Sequence, residues 1–105
     1  MKILFDQGTP VPLRTYLRAH TVVTAYEHGW DRLQNGDLLK AAETEGFDLL
    51  ITTDAGLKYQ QNLKDRKIGI VVLRSTSWPK IQLKAVEIVA VVETMTPGGY
   101  VEVAI

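Results

Sequence analysis

The stretch Phe47-Asp48-Leu49-Leu50-Ile51-Thr52-Thr53-Asp54-Ala55-Gly56-Leu57-Lys58-Tyr59-Gln60-Gln61-Asn62 decides the fold. Leu49-Leu50-Ile51 is a short unbroken apolar run, the pattern of a strand buried on both faces of a parallel sheet. Thr52, Thr53 and Asp54 follow, and helical character begins near Ala55. A carboxylate so placed closes a strand at its carboxyl end, the edge where open α/β sheets bind ligands. Asp6 stands in the same relation to Lys2-Ile3-Leu4-Phe5. Two aspartates, each ending a predicted strand, are the first candidates for chemistry.

Upstream, Lys2–Phe5 reads as the first strand. Thr9-Pro10 predicts a helix start, with Thr9 as N-cap and Pro10 at the first helical position. Leu13 and Leu17 give that helix its buried stripe, while Arg14 and Arg18 lie on another face. The β-branched residues 21–25 predict a second strand, and residues 26–34 a loop or irregular turn. Asn35-Gly36-Asp37 opens a second helix that turns Leu38, Leu39, Ala41 and Ala42 inward, and Gly46 ends it. The organising strand covers residues 48–52.

Downstream, residues 55–63 predict a polar surface helix anchored by Leu57 and Leu63, and residues 67–73 a fourth, deeply buried strand. A last helix begins at Pro79, with Ile81, Ala85, Ile88, Val89 and Val92 at helical spacing. Pro97-Gly98-Gly99 predicts a hairpin-like turn. Residues 100–105 alternate, with Val101, Val103 and Ile105 on one face of a closing edge strand. The order β-α-β-α-β-α-β-α-β predicts an α/β fold, a three-layer sandwich with a mostly parallel central sheet, forming one domain over residues 1–105.

Length and composition bound the function. A chain of 105 residues supports one hydrophobic core. Its 46% apolar and 23% charged residues are those of an ordinary soluble protein. No run of about 18 apolar residues predicts a membrane span, and Met1-Lys2-Ile3-Leu4-Phe5-Asp6 meets a charge too early for a signal peptide. The absence of cysteine rules out disulfides and thiolate metal sites and fits a cytoplasmic location. The zero net charge hides an asymmetry: residues 1–54 hold five Lys/Arg against eight Asp/Glu, whereas residues 55–86 hold seven against Asp65 alone. A basic region beside an acidic edge attracts a polyanion without making the whole protein basic. Lysines kept for solubility account for the same pattern.

Each candidate has two roles open to it. Asp6 is a metal ligand or the start of an Asx-type turn; Asp54 is a ligand or the N-cap of the following helix. Two such aspartates at one sheet edge favour Mg²⁺ or Mn²⁺ with oxygen ligands, since clustered carboxylates repel. Asp37 suits the first turn of its helix in either case. Glu27 follows the second strand and lies at the same edge. Asp31, Glu43, Glu45 and Asp48 read as solvated surface charge. His20 and His28 lack metal spacing. No glycine-rich phosphate loop is present, and no serine has an acid–base partner nearby in sequence. Tyr26, Trp30, Tyr59 and Trp78 serve either base stacking or half-buried packing.

The ordered set Phe5-Asp6-Gln7, Glu27-His28-Gly29, Gly36-Asp37-Leu38-Leu39 with Ala41-Ala42, and Leu50-Ile51-Thr52-Thr53-Asp54 resembles the PIN-like domains of the DUF5615 group, over residues 1 to about 75. That resemblance implies a PIN-like fold and a metal-dependent ribonuclease, many such proteins being toxins with a protein antitoxin. It implies Asp6 and Asp54 as first-choice catalytic and metal carboxylates, with Asp37 and Glu27 as further candidates. Mg²⁺ or Mn²⁺ there would lower the pKa of a bound water and set it in line with a phosphodiester. Lys58, Lys64 and Arg14 are the expected contacts to single-stranded RNA, and a homodimer is a further expectation. Gly56 and Gln7 depart from the pattern, standing where relatives commonly carry acidic residues. The leading expectation is a divalent-metal-dependent endoribonuclease. The alternative is a non-catalytic PIN-like regulatory or protein-binding module with a degenerate metal site. A receiver-like phosphate acceptor shares the architecture but needs paired acidic residues at the first strand end.

Overall fold

The aliphatic strands assemble as their apolar runs require. In the computed structural model, β1 (Lys2–Phe5) pairs in parallel with β2 (Thr21–Thr24) on one side and β3 (Leu49–Thr52) on the other. β4 (Gly69–Leu73) follows β3, and β5 (Tyr100–Val103) forms the far edge, all parallel. The structure describes residues 1–57 and 66–105, with only the backbone at residue 35. Among these residues the sheet has five strands in the order β2-β1-β3-β4-β5.

Every residue of β3 and β4 is buried, as in a sheet covered on both faces. Strand alternation splits their side chains into two layers. Ile3, Phe5, Leu49, Ile51, Val71 and Leu73 pack against Leu13 and Leu17 and against Ile81, Ile88 and Val92. Leu13 belongs to a 3₁₀ helix (Val11–Tyr16), and the last three come from two C-terminal helices. On the opposite face Leu4, Leu50, Ile70 and Val72 meet Leu38, Leu39 and Ala42 of α1 (Asn35–Thr44), with Phe47, Leu57 and Ile68. Burying each of these large side chains contributes about 1.5–3 kcal/mol. The result is a three-layer α/β sandwich.

Several local expectations are corrected. Thr9 does not cap a helix; it is buried, and both its N–H and its hydroxyl turn back to Asp6. The segment after it is 3₁₀, capped at Pro10, with Leu13 N–H bonded to the Pro10 carbonyl at 3.1 Å. Pro10 and Pro12 lack N–H donors, which suits so short a 3₁₀ turn. The helix expected from Pro79 is two helices, α2 (Trp78–Leu83) and α3 (Ala85–Thr94), broken at Lys84 (φ −106°, ψ 9°). The Pro97-Gly98-Gly99 turn is present but is no hairpin, because it ends the crossover into a strand parallel to β4. The mostly parallel sheet expected from the sequence is present, and among the described residues all its strand pairs are parallel. β3 starts at Leu49, one residue later than expected, and the preceding Asp48 accepts from the Lys2 N–H on its Oδ2 at 2.8 Å.

Glu43 is no idle surface charge either. It accepts from Arg66 at 2.5 Å and from the Lys67 N–H at 3.0 Å. Of the helix expected over residues 55–63, only the first turn is described, where Leu57 N–H bonds the Asp54 carbonyl at 3.2 Å. Its remainder, with Lys58 and Lys64, lies outside the described residues. Among the described residues no helix is long and apolar enough to cross a membrane.

Gly98 and Gly29 separate two costs. Both have positive φ, +74° and +78°, but a Cβ on Gly98 would meet the Arg66 carbonyl oxygen at 2.6 Å, whereas one on Gly29 meets nothing within 4 Å. Gly29→Ala should therefore cost only the conformational term, about 1 kcal/mol. Gly98→Ala should cost at least about 2 kcal/mol. Urea melts of the two variants check this, and equal losses would contradict it.

Candidate functional site

The chain leaves β1 for β2 on one side and returns to β3 on the other, so the winding reverses at β1. Ligands of open α/β sheets bind beside such a reversal, at the carboxyl ends of the strands. Beside that reversal, between the carboxyl ends of β1 and β2, opens a cleft of about 560 Å³ lined by Asp6, Gln7, Thr9, Val11, Arg14, Thr24, Tyr26, Glu27 and Asp31. Its walls come from the segment after β1, the 3₁₀ helix and the turn after β2.

Asp6 is fixed by three donors. Its Oδ1 accepts from the Thr9 N–H at 3.0 Å and the Thr9 hydroxyl at 2.7 Å. Its Oδ2 accepts a short hydrogen bond from the Thr52 hydroxyl at the end of β3. The Thr9 hydroxyl also lies 2.8 Å from the Ile51 carbonyl. Thr52 Oγ1 in turn accepts from the Asp54 N–H at 3.1 Å. The two aspartates are thus joined through a threonine hydroxyl and the backbone of Asp54. The Asp54 carboxylate instead takes the Gly56 N–H at 2.9 Å, the helix-capping role, and it does not line the cleft.

Glu27 is fixed as firmly. Its Oε1 accepts from the Thr24 N–H at 3.0 Å while its own N–H bonds Thr24 Oγ1 at 3.0 Å. Arg14 reaches both carboxylate oxygens, at 2.9 and 3.1 Å. The Thr24 N–H first, then the Arg14 guanidinium, hold the Glu27 carboxyl below its usual range against a smaller opposing effect of desolvation. Asp37 is not brought to this cleft. It is exposed in the first turn of α1 and lines a separate depression with Trp30, Leu33 and Lys40.

The site therefore unites Asp6, Glu27 and Arg14 of the predicted residues and leaves Asp54 and Asp37 outside. It adds Asp31, read from sequence as solvated charge, and the two threonines that hold Asp6. Thr9 lies three residues after Asp6, an Asx-type spacing, so that partner had a local signal. Asp31 had none. A carboxylate accepts about four hydrogen bonds, and Asp6 and Glu27 each have three from within the chain, leaving about one position apiece. Among the described residues no three His, Cys, Asp or Glu side chains form a group able to hold a metal ion. The donor set does not suit a dedicated cage. It does suit Mg²⁺ that keeps most of its waters and takes one or two carboxylates.

These features define a class: an α/β domain with an all-parallel sheet among the described residues and a carboxylate-lined cleft between the carboxyl ends of β1 and β2. Comparison of the chain with protein-family models, with curated proteins and with solved structures finds no match.

Two measurements test this geometry. Thr52→Val should cost about 1–3 kcal/mol in urea melts, because it leaves Asp6 Oδ2 and the Asp54 N–H without their partner; a loss under about 0.5 kcal/mol would contradict the arrangement. The second is pH dependence. A carboxyl held low in the fold stabilises above its unfolded pKa, about 4.3 for Glu, and that contribution is lost as pH falls through the folded pKa. Glu27→Gln should flatten part of the acid-side loss of stability below about pH 4.3, and parallel curves for parent and variant would count against it.

Proposed function

We propose that the chain is a divalent-metal-dependent endoribonuclease of PIN-like type acting in the cleft around Asp6. The observation that carries the reading is the charge of that cleft, three carboxylates (Asp6, Glu27, Asp31) against one guanidinium (Arg14). A phosphodiester is repelled from such a surface unless a cation lies between, and a cation is what the carboxylates attract. Mg²⁺ or Mn²⁺ would be held by the remaining acceptor positions of Asp6 and Glu27, with Asp31 adding charge. When bound, the ion supplies a water of lowered pKa and neutralises developing negative charge.

The chain's own residues do the rest. Thr9 and Thr52 fix the direction of the Asp6 carboxylate. Thr24 and Arg14 fix Glu27, and Arg14 is the cation in the cleft that a phosphate oxygen can reach. Asp54 is assigned to holding the Thr52 corner and Asp37 to its helix terminus. Lys58 and Lys64 keep their assignment to single-stranded RNA from sequence alone. A toxin role, with a protein antitoxin as partner and the cytoplasm as compartment, belongs to the same proposal.

One observation favours a second reading. Asp6 and Glu27 already have internal partners for most of their acceptor positions, as befits a non-catalytic regulatory or protein-binding module with a degenerate metal site.

Melts with and without millimolar Mn²⁺, paired with an RNA cleavage assay, separate the two. The nuclease reading expects about 2.7 kcal/mol of stabilisation at a hundredfold excess over Kd. It expects both stabilisation and cleavage to be lost in Asp6→Asn and largely kept in Asp54→Asn. A parent protein that neither gains stability from Mn²⁺ nor cleaves RNA leaves the second reading in its place.

A further inference from the structure

Four side chains line the cleft without helping to hold it together. Tyr26 is 75% exposed and Val11 50% exposed, far beyond what packing requires. Gln7 and Asp31 are exposed beside them. Among the described residues, the side chains of Tyr26, Gln7 and Asp31 make no hydrogen bond, ion pair or ring contact. Tyr26 comes from the turn after β2 and Val11 from the first position of the 3₁₀ helix, so the cleft lining offers one aromatic and one aliphatic side chain. Between them the uncommitted polar groups are a carboxylate and a carboxamide. That combination suits a flat heteroaromatic ring with hydrogen-bond donors on its edge. It does not suit a bare phosphate, which the net negative charge repels.

We infer that this cleft contains a nucleobase subsite, in which the Tyr26 ring stacks on a base of single-stranded RNA and the Asp31 carboxylate accepts from the base's amino edge. Guanine matches best, because its N1–H and N2–H are adjacent donors that meet the two oxygens of one carboxylate. Adenine and cytosine offer a single amino group. Uracil sets its one N–H between two carbonyls, which a carboxylate repels, so it binds worst. Val11 closes the other side of the ring, and Gln7 can pair with either kind of edge. The subsite rests on reading the cleft as the place where RNA lies, but it does not depend on a metal ion, since a neutral nucleoside carries no phosphate.

The experiment is titration of the metal-free full-length protein, in EDTA, with guanosine, adenosine, cytidine and uridine, followed by amide chemical shifts. Two arms, run with millimolar Mg²⁺ in place of EDTA to offset the cleft's negative charge, add single-stranded oligouridylates, one with a single guanosine and one without. Guanosine should bind tightest and uridine weakest, and the guanosine-containing strand should bind at least as tightly as guanosine itself. Tyr26→Ala should weaken guanosine roughly tenfold or more, the usual loss for removing a stacking ring. Asp31→Asn should erase most of guanosine's advantage over uridine while keeping the stack. Both positions are exposed turn residues, and circular dichroism confirms that the variants fold.

Equal affinity for all four nucleosides, no binding at millimolar nucleoside, or an affinity that Tyr26→Ala leaves unchanged overturns the inference. Binding of guanosine but not of the strand that contains it overturns the assignment to RNA. A protein that binds guanosine but takes up no Mn²⁺ keeps the subsite and loses the nuclease reading; the reverse pattern does the opposite.

Discussion

The carboxylate of Asp6 and its two threonines are the constraint on which the carboxyl edge of this sheet depends. β1 and β3 are neighbours in the sheet, yet Asp6 and Thr52, which follow and end them, lie 46 residues apart along the chain. What joins the loops that leave them is one carboxylate taking Thr9 from its own loop and Thr52 from the other strand. Gly8 lies so close to Thr53 that an added Cβ would collide with its hydroxyl. Both loops are therefore drawn in tightly, and the cleft opens on the other side of Asp6, toward β2. Charge-assisted hydrogen bonds of this kind are stronger than neutral ones, which explains how a loop edge holds a carboxylate in one direction.

The two edges of the sheet treat charge differently. At the amino edge, Asp48 pairs with the Lys2 N–H and Glu43 with Arg66 and Lys67, so its carboxylates are matched by donors. A cleft of about 530 Å³ opens there too, with Met1, Phe47, Met95 and Pro97 in its lining. In the cleft at the carboxyl edge, only Glu27 of three carboxylates pairs with the one guanidinium, and Asp31 has no partner among the described residues. Matched charge stabilises a surface, whereas unmatched charge beside a cavity attracts a ligand. The same contrast separates Asp54, whose carboxylate caps a turn, from Asp6, which faces the cleft.

Much of the fold was legible in the sequence because short aliphatic runs have one good solution, a covered parallel strand. Leu49-Leu50-Ile51 and the run from Ile68 to Leu73 gave their strands for that reason. Gly46, at φ +80°, marked its helix end because few other residues adopt that backbone. The 3₁₀ helix was not legible, since Thr9-Pro10 is also a good α-helical start and only the tertiary demand of Asp6 for the Thr9 hydroxyl overrides it. Nor was the break at Lys84, which lies inside one continuous apolar periodicity. In the site, Asp6 and Glu27 were visible as charges at strand ends, and Arg14 as a basic residue on the face of the following helix. Asp31 was not, because residues 26–34 form turns with no period from which a direction can be read. Asp54 ends β3, across β1 from the side on which the cleft opens, and its carboxylate takes the Gly56 N–H; pattern alone carries no such strand order.

The proposed cation site is the cleft beside Asp6 and no other face of the sheet. Paramagnetic broadening by Mn²⁺ in an amide-resolved NMR spectrum tests it most directly, because the effect falls steeply with distance from the ion. The account predicts that substoichiometric Mn²⁺ first removes the signals of Asp6, Gln7, Glu27 and Asp31, leaving those of Asp37, Glu43 and Asp48 intact. Broadening centred on the amino edge or on α1, or none at millimolar Mn²⁺, would contradict it.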